Sequence, residues 1–446
     1  MDTAKRLSFF YFTLGVVLNL APELAGTMYM IGRGIEVDEL AKFAALLTVP
    51  WCLKPVYGLI SDTCPLFGER RRPYIFGANA LNAVLWGMMA LRADDVTLWY
   101  AKTLFFTASL LTCFSDVMYD SILVVLAKAE GEQHGIAQTT CWIARSAGAF
   151  VTALASGFVY SAIGYRGVFA AQAVVHVAIA IATKRLLCSD PAVSVSVLVC
   201  PFVARERFRA LARAAHDPRL YRPAIFMFVF GATPTAGSAF FYFLVRKLHF
   251  TPQTLGILGG ITHGAMLLGT IFYRRCFRNA RLRRYFCAMV VLSAVLGASP
   301  LVLVTRANQN YLGLPDSIFV GGDDVALGVA SKLVSLPLMI LIAKLCPDGV
   351  EASLYATFIS VLNFSGVCSE YSGAMLTNLF GVSKDNFDNL AALIATCTAS
   401  TLFALLFLCL LPDANIADVV RDATTRYDDT TEEKEDGEKE EEEEEE

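Results

Sequence analysis

The sequence predicts an all-α membrane protein with twelve transmembrane helices in two parallel six-helix halves. Apolar residues make up 55 % of the 446 residues and charged residues only 17 %, whereas soluble proteins carry about 25 % charged residues. The apolar residues also fall into stretches long enough to cross a bilayer. In addition, the second half of the chain repeats motifs of the first.

Twelve stretches have the length and composition of a membrane-spanning helix. About 20 mostly apolar residues cross the hydrocarbon core of a bilayer, and longer stretches cross it at a tilt. The mean hydropathy of the chain is +0.52. The predicted helices cover residues 7–30, 38–62, 73–91, 97–127, 134–162, 167–187, 222–246, 254–273, 284–304, 319–345, 350–381 and 388–412.

The two halves echo each other in sequence. Residues 126–128 read LAK before an acidic turn, and residues 342–344 read IAK before another, 216 residues later. Basic connections follow the second helix of each half. Two parallel six-helix repeats are the plan of the major facilitator superfamily. The predicted domains are a first half at 1–187, a cytosolic linker at 188–221, a second half at 222–412 and a disordered acidic tail at 413–446.

Composition and motifs exclude several classes of protein. The net charge of −4 reflects the tail, where 12 of the last 16 residues are acidic. The chain has no basic groove with interleaved aromatic residues, so we expect no nucleic-acid partner. Its 12 cysteines lack metal-ligand spacing, and there is no P-loop, HExxH or partnered GxSxG motif. The sequence therefore predicts no catalytic residue, no metal and no cofactor, and we expect a monomer.

Four ionisable residues stand out within the predicted spans of the first half: Lys54, Asp116, Asp120 and Arg145. Charges inside a bilayer are costly, so they mark either functional sites or paired networks. At a rise of about 1.5 Å per residue all four fall in one layer, and the two aspartates share a helix face. We predict one charge cluster between the second, fourth and fifth helices, with a gating or ion-coupling role. A static ion-pair network that only fixes helix packing is the alternative.

Lys332, in the middle of the tenth helix, is a candidate substrate-binding residue. It faces no obvious acid except Glu370 or the pair Asp323 and Asp324. An unpaired buried lysine either binds an anionic substrate, extends toward the interface or lines water, and the sequence leaves these alternatives open.

Two other residues complete the candidate substrate or coupling site. Glu23, near the middle of the first helix, is a candidate proton site because desolvation favours the protonated carboxyl. Trp142 is a candidate for stacking on a flat ring, together with Phe241 and Tyr242.

The connection after the second helix contains Gly58, Asp62, Arg70, Arg71 and Arg72. A glycine, an acid four residues later and a basic cluster resemble the signature loop of facilitator-type carriers, with the spacing lengthened here. In those carriers the acid at the helix end pairs with basic residues and holds one conformation. The resemblance implies that these five residues form a gating loop.

Four sequence blocks carry a more specific pattern. They are PWCLKPVYGLISD at 50–62 with RRPY at 71–74, SDVMYD at 115–120, Gln138 with CWIAR at 141–145 and Gly148, and LCPDGVE at 345–351 with Tyr355-Ala356 and Gly381-Val382. Together the blocks resemble the folate–biopterin transporter family of the same superfamily, over nearly all of the membrane body.

The resemblance implies a secondary transporter of folates, pterins or related conjugated solutes, of a kind usually driven by protons. Residues 31–35 depart from the acidic pattern expected there, and members of the family differ in substrate. A carrier of another small solute such as an amino acid, sugar or nucleoside, or a membrane receptor, is the alternative. We expect a multi-pass protein of the plasma membrane rather than of an organelle.

The distribution of lysine and arginine predicts that both termini are cytosolic. The side that holds the termini carries 21 basic residues in its loops and helix ends, and the other side carries nine. A C-terminal tag should therefore resist protease added to intact cells and be cut after permeabilisation, with a tag inserted at 312 as the accessible control. Cleavage of the C-terminal tag on intact cells would contradict this topology.

Overall fold

The computed structural model describes residues 3–129, 134–187, 216–277, 280–345, 351–415 and 418. Within these ranges the chain forms twelve helical rods joined by loops. Most of the predicted linker at 188–221 and of the predicted tail at 413–446 lies outside the described residues.

The first six rods run from Thr3 to Leu186. Residues 134–186 form one helical segment that Gly164 divides, because its φ of 66° lies outside the helical region. The rods are α1 (Thr3–Leu18, Asn19–Ala25 and Gly26–Gly32), α2 (Val37–Thr48, Val49–Leu53 and Lys54–Thr63), α3 (Arg72–Arg92), α4 (Leu98–Ala129), α5 (134–163) and α6 (165–186).

The last six rods run from Pro218 to Leu410. They are α7 (Pro218–Gly231 and Gly237–Arg246), α8 (Pro252–Phe272 and Tyr273–Phe277), α9 (Leu282–Gly297 and Ser299–Val304), α10 (Asp316–Leu345), α11 (Glu351–Leu379) and α12 (Leu390–Thr401 and Leu402–Leu410).

The predicted all-helical membrane fold is confirmed, and the twelve rods are consistent with the predicted number of helices. Among the described residues, eight helical segments are long and apolar enough to cross a membrane, and one of them, Thr140–Leu186, contains most of α5 together with α6.

Helices α1, α2 and α7 are among those that depart from regular α-helix. In α1 the segment Asn19–Ala25, which contains Pro22, is a π-helix, and in α2 the segment Val49–Leu53, which contains Pro50, is a 3₁₀-helix. Proline lacks the backbone N–H that an α-helix requires, so it shifts the local hydrogen bonding. In α7, residues 232–236 interrupt the helix altogether.

The first six helices meet the last six mainly where α5 contacts α8 and where α2 contacts α11. The α5–α8 contact is a backbone contact. A Cβ atom on Gly157 would lie 2.0 Å from the carbonyl oxygen of Pro252, and one on Gly256 would lie 2.7 Å from the backbone nitrogen of Gly157. Only glycine permits this approach of the two helices.

One end of the bundle is closed by an apolar cluster drawn from both sets of six helices. This end carries the loops 33–36, 247–251 and 380–389, and we call it the sealed end. The cluster includes Leu40, Phe105, Phe243, Leu258 and Leu390, all of them buried. Toward the opposite end the apolar clusters separate.

The two clusters at the opposite end each belong to one set of helices. The cluster around Phe10 and Tyr119 comes from the first six helices, and the cluster around Phe286 and Leu341 comes from the last six. Among the described residues, apolar clustering therefore joins the two sets of helices at the sealed end.

Polar contacts add to the closure of the sealed end. The hydroxyl of Tyr242 donates to the carbonyl of Ile35 at 2.9 Å, and Arg246 donates to the carbonyl of Ile31 at 3.3 Å. In the loops, Lys384 Nζ lies 2.7 Å from Oε1 of Glu36. Tyr242, which the sequence suggested for stacking on a flat substrate ring, is fully buried here and its hydroxyl holds the α1–α2 loop, so that role stays a prediction.

The loops of the first six helices are joined around Asp94. Its carboxylate accepts a hydrogen bond from the Tyr165 hydroxyl and pairs with Arg166, and these interactions hold the pKa of Asp94 below its ordinary value. Arg33 donates to the carbonyl of Ala93 at 2.8 Å. Hydrogen bonds and an ion pair thus join the α1–α2, α3–α4 and α5–α6 connections to one another.

Gly157 provides a test of the α5–α8 contact. The substitution Gly157→Ala should destabilise the folded protein by about 1–3 kcal/mol, because the added methyl group overlaps backbone atoms of α8 that cannot move aside. Thermal unfolding of the purified protein, followed by tryptophan fluorescence, measures the loss.

Gly77 in α3 provides the matched control, because a Cβ atom there meets no atom of the described residues within 4 Å. Gly77→Ala should leave the melting temperature unchanged or raise it slightly through better helix propensity. Equal melting temperatures for G157A, G77A and the wild type would contradict the backbone contact.

Candidate transport site

The four charged residues predicted to cluster do lie together, between α2, α4 and α5. Lys54 Nζ lies 2.5 Å from Oδ2 of Asp116 and 3.5 Å from Oδ2 of Asp120. Arg145 Nη1 lies 3.1 Å from Oδ1 of Asp116. Asp116 is fully buried, and each of its two carboxylate oxygens is paired with one cation. Their predicted role in gating or coupling stays a prediction.

The interruption of α2 positions Lys54. The 3₁₀ segment Val49–Leu53 ends one residue before it, and Pro55 follows. Ser109 of α4 donates to the carbonyl of Leu47 at 2.7 Å, and Trp51 Nε1 donates to the Ser109 hydroxyl at 3.3 Å. These two hydrogen bonds join α2 to α4 on either side of Pro50 and satisfy a backbone carbonyl of α2. The turn brings the Lys54 side chain against α4.

The two aspartates have different surroundings, although they are one helical turn apart. The side chain of Asp120 is 41 % exposed, whereas that of Asp116 is fully buried between two cations. Asp120 has only the longer contact to Lys54, and it accepts a hydrogen bond from the Tyr11 hydroxyl at 2.7 Å. Asp120 is thus the carboxylate of the cluster that water or a solute reaches.

A tryptophan lies beside each cation of the cluster. Lys54 Nζ is 5.3 Å from the ring centroid of Trp51, and the Arg145 guanidinium carbon is 5.4 Å from that of Trp142. Both distances are those of cation–π contacts. Trp142 is also 45 % exposed, so its ring is available to a second partner.

Lys332 of α10 approaches the cluster from the second set of helices. It lies near enough to Arg145 for the two positive charges to repel each other. Among the described residues it has no carboxylate partner. Glu370 accepts a hydrogen bond from Ser238 instead, and Asp323 accepts one from Ser299. Two of the three acids considered from the sequence as partners of Lys332, Glu370 and Asp323, are therefore engaged elsewhere.

Glu23 does not join the cluster. It lies in the π-helical segment of α1, its side chain is exposed, and the described part of the chain provides no cation for it. One turn earlier, Asn19 Oδ1 lies 2.9 Å from Nε2 of His263 on α8. Glu23 thus remains a separate carboxyl near the contact between α1 and α8.

The structure describes the predicted gating loop only in part. Arg72 Nη2 lies 2.9 Å from Oε1 of Glu69, and the Ser61 hydroxyl donates to the carbonyl of Arg70 at 2.9 Å. Gly58 faces Val117 of α4, which a Cβ atom would meet at 3.9 Å. The side chain of Asp62 lies outside the described residues, so its pairing with Arg70, Arg71 or Arg72 stays a prediction.

Sequence reasoning missed Tyr11 and the role of Trp51. Tyr11 lies in the apolar run of α1, where a single hydroxyl among phenylalanines was the only available signal. Trp51 belongs to the PWCLKP block, but its contact with Lys54 depends on the 3₁₀ turn. The sequence signal was the spacing of three residues between Trp51 and Lys54, which places two side chains side by side on an α-helix. This spacing alone does not establish a contact between them.

Known structures with the same arrangement of helices are membrane carriers. A nucleoside transporter structure superposes with a TM-score of 0.65 and 12 % identity over 92 % of this chain and 99 % of that one. A structure of a proton-dependent oligopeptide transporter superposes with a TM-score of 0.67 and 12 % identity over 94 % and 99 %. Identities this low show the fold alone. The fold, with ionisable groups inside its spans, is therefore of the major facilitator type, which these carriers share.

The chain belongs to the BT1 family, whose sequence model matches residues 15–431. It is 34 % identical over 420 residues to a folate-biopterin transporter of Synechocystis sp., covering 94 % of this chain and 83 % of that protein. It is 28 % identical to folate transporter 2 of Plasmodium falciparum, covering 84 % and 81 %. The resemblance to folate–biopterin transporters is confirmed, and the protein is a transporter rather than an enzyme.

Neutralising the cluster should abolish transport without removing the protein from the membrane. Asp116→Asn or Arg145→Gln leaves a buried charge without its partner, at a cost of about 3–5 kcal/mol for a buried pair. Uptake normalised to surface expression measures the effect. Exchanging the charges in Asp116→Arg with Arg145→Asp should recover part of it, because the pair is restored in reverse.

Lys247→Gln is the matched control, since Lys247 lies exposed in the α7–α8 loop. It should transport as the wild type does. Normal uptake by D116N, R145Q, D120N and K54Q would mean that the cluster has no part in transport.

Proposed function

We propose that this protein is a secondary active transporter of pteridine-type solutes, either anionic folates or biopterin, driven by protons through alternating access. The observation that carries the proposal is the pair of like charges at the centre. Arg145 and Lys332 come from different sets of helices, their positive charges repel each other, and no carboxylate among the described residues pairs with Lys332. An anion bound between them would relieve that repulsion.

The chemistry of a folate fits these residues. Its glutamate carboxylates would pair with Lys332 and with the part of Arg145 that Asp116 leaves free. Its flat pteridine ring would stack on the exposed face of Trp142. The names of the Synechocystis and Plasmodium relatives support the same class of solute.

Protons have a place in the same site. Asp116 is held by two cations, so Asp120, which is exposed and contacts only one of them, is the better placed of the two to take up a proton. Glu23 is exposed and has no cation among the described residues. A proton on either carboxyl changes the charge balance of the site, which is how a proton and an anion are coupled in one carrier.

Alternating access would proceed by relative movement of two six-helix halves, 1–187 and 222–412, around the site. The apolar cluster that joins them at the sealed end supports this, because opening that end requires the cluster and the Glu36–Lys384 pair to separate. By the distribution of basic residues the sealed end faces outward, so the structure would represent a state closed to the outside. We further propose that the protein works as a monomer in the plasma membrane.

Uptake into cells that express the protein tests the proposal. Uptake of labelled folate and biopterin should rise when the medium is acidified from pH 7.5 to pH 5.5 and collapse with a protonophore. Unlabelled pterin should compete, whereas glucose and a nucleoside should not. Uptake that ignores the proton gradient would refute the coupling, and preference for the nucleoside would favour the alternative carrier.

The same assay distinguishes the role of Lys332. Lys332→Gln should raise the KM for folate by about tenfold, the loss expected for one charge-assisted bond. The KM for biopterin, which has no carboxylate, should change little. Lys247→Gln should alter neither value. Equal effects of K332Q on both solutes would contradict a carboxylate contact at Lys332.

A further inference from the structure

The interruption of α7 is in direct contact with α11. The Ser369 hydroxyl donates to the carbonyl of Thr233 at 2.6 Å, and the backbone N–H of Thr235 donates to the carbonyl of Ser369 at 3.4 Å. A Cβ atom on Gly373 would lie 2.0 Å from the carbonyl oxygen of Thr235. Polar groups that the interruption frees are therefore bonded to α11, which explains how α7 tolerates a break inside the membrane.

A carboxyl group with no role in the site described above lies at this contact. Glu370 follows Ser369, is half-buried, and accepts a hydrogen bond at Oε2 from the Ser238 hydroxyl at 3.2 Å. Ser238 is the second residue of the half-helix Gly237–Arg246, so the carboxylate also lies near a helix N-terminus, which favours negative charge.

The helices around Glu370 bring it no cation among the described residues. On α2, Lys42 pairs with Asp38 and Glu39. On α10, Lys332 forms no ion pair with Glu370, whose Oε2 accepts a hydrogen bond from Ser238 instead. Glu370 is therefore an ionisable group in the membrane whose only polar side-chain contact in the described part of the chain is the Ser238 hydroxyl.

The half-helix that Glu370 contacts also closes the sealed end. Its other end carries Tyr242 and Arg246, which donate to the carbonyls of Ile35 and Ile31. The segment Gly237–Arg246 is thus attached to α11 at its start and to the α1–α2 loop at its end, with a non-helical segment at 232–236 on which it can turn.

We propose that Glu370 is a proton-binding site, and that a proton on its carboxylate loosens the Gly237–Arg246 half-helix and opens the sealed end. A hydrogen bond to a carboxylate is about twice as strong as one to a neutral carboxyl. Protonation also removes the attraction between the carboxylate and the helix N-terminus. Both changes weaken the attachment of the half-helix to α11. The inference rests on the proton coupling proposed above and assigns it a site in the second set of helices.

Hydrogen–deuterium exchange of the purified full-length protein in lipid nanodiscs, without solute, tests the inference. Exchange is measured at pH 5.5 and pH 7.5, and at steps between and above them to obtain the midpoint of the response, and is corrected for the intrinsic pH dependence of amide exchange. Peptides that cover 237–250 and 31–37 should exchange roughly fivefold or more faster at pH 5.5 in the wild type, the lower range of typical coupling between sites. Glu370→Gln, which is neutral at both pH values, should show the fast exchange at both.

Two variants make the test specific. Asp323→Asn removes another half-buried carboxylate, bonded to Ser299, and should keep the wild-type response. Ser238→Ala keeps the carboxyl but removes its donor. The pH response should become smaller, because only the attraction to the helix N-terminus is left to lose, and its midpoint should move to higher pH. If E370Q does not yield folded protein, the midpoint of the pH response in S238A tests the inference instead. A midpoint equal to that of the wild type would overturn the inference.

A pH response that persists in E370Q, or one that is absent from the wild type, would also overturn it. The assay contains no solute, so it is independent of the substrate assignment. A pH response that depends on Glu370 in a protein that takes up no pteridine would refute the proposed function alone. Proton-driven pteridine uptake together with an unresponsive sealed end would refute the inference alone.

Discussion

The burial of Asp116 is the constraint on which the first set of helices depends. A carboxylate with no exposed surface inside a membrane protein is tolerable only when both of its oxygens are paired. Lys54 meets one oxygen and Arg145 the other, and these residues belong to α2 and α5. One buried charge on α4 thus determines how three helices are placed, and each cation is further held by a neighbouring tryptophan.

Three of the polar residues described above lie where the helices are irregular. Glu23 is in the π-helical segment of α1, Lys54 follows the 3₁₀ segment of α2, and Ser238 follows the interruption of α7. An irregular turn frees backbone groups that must find partners on another helix, as Ser109 and Ser369 provide here. Such turns therefore bring polar side chains of two helices together at a depth where regular helices would present apolar surface.

The contacts between the two sets of helices differ in strength along the bundle. At the sealed end an apolar cluster, the Tyr242 and Arg246 hydrogen bonds and a loop ion pair act together. Toward the opposite end the apolar clusters belong to one set each. At Gly157 and Gly256 the backbones of α5 and α8 approach each other directly.

The sequence by itself determined the spans and the layer of charges, because hydropathy is a local property and depth follows from a constant rise along each helix. It also determined the resemblance to the family, because each motif that carries the resemblance is a short continuous segment. It did not determine the rotation of each helix about its axis or its neighbours, which depend on packing between residues far apart in the chain. For that reason the Tyr11 contact with Asp120, the burial of Tyr242, the isolation of Glu23, and the approach of Lys332 to Arg145 were decided only by the tertiary structure.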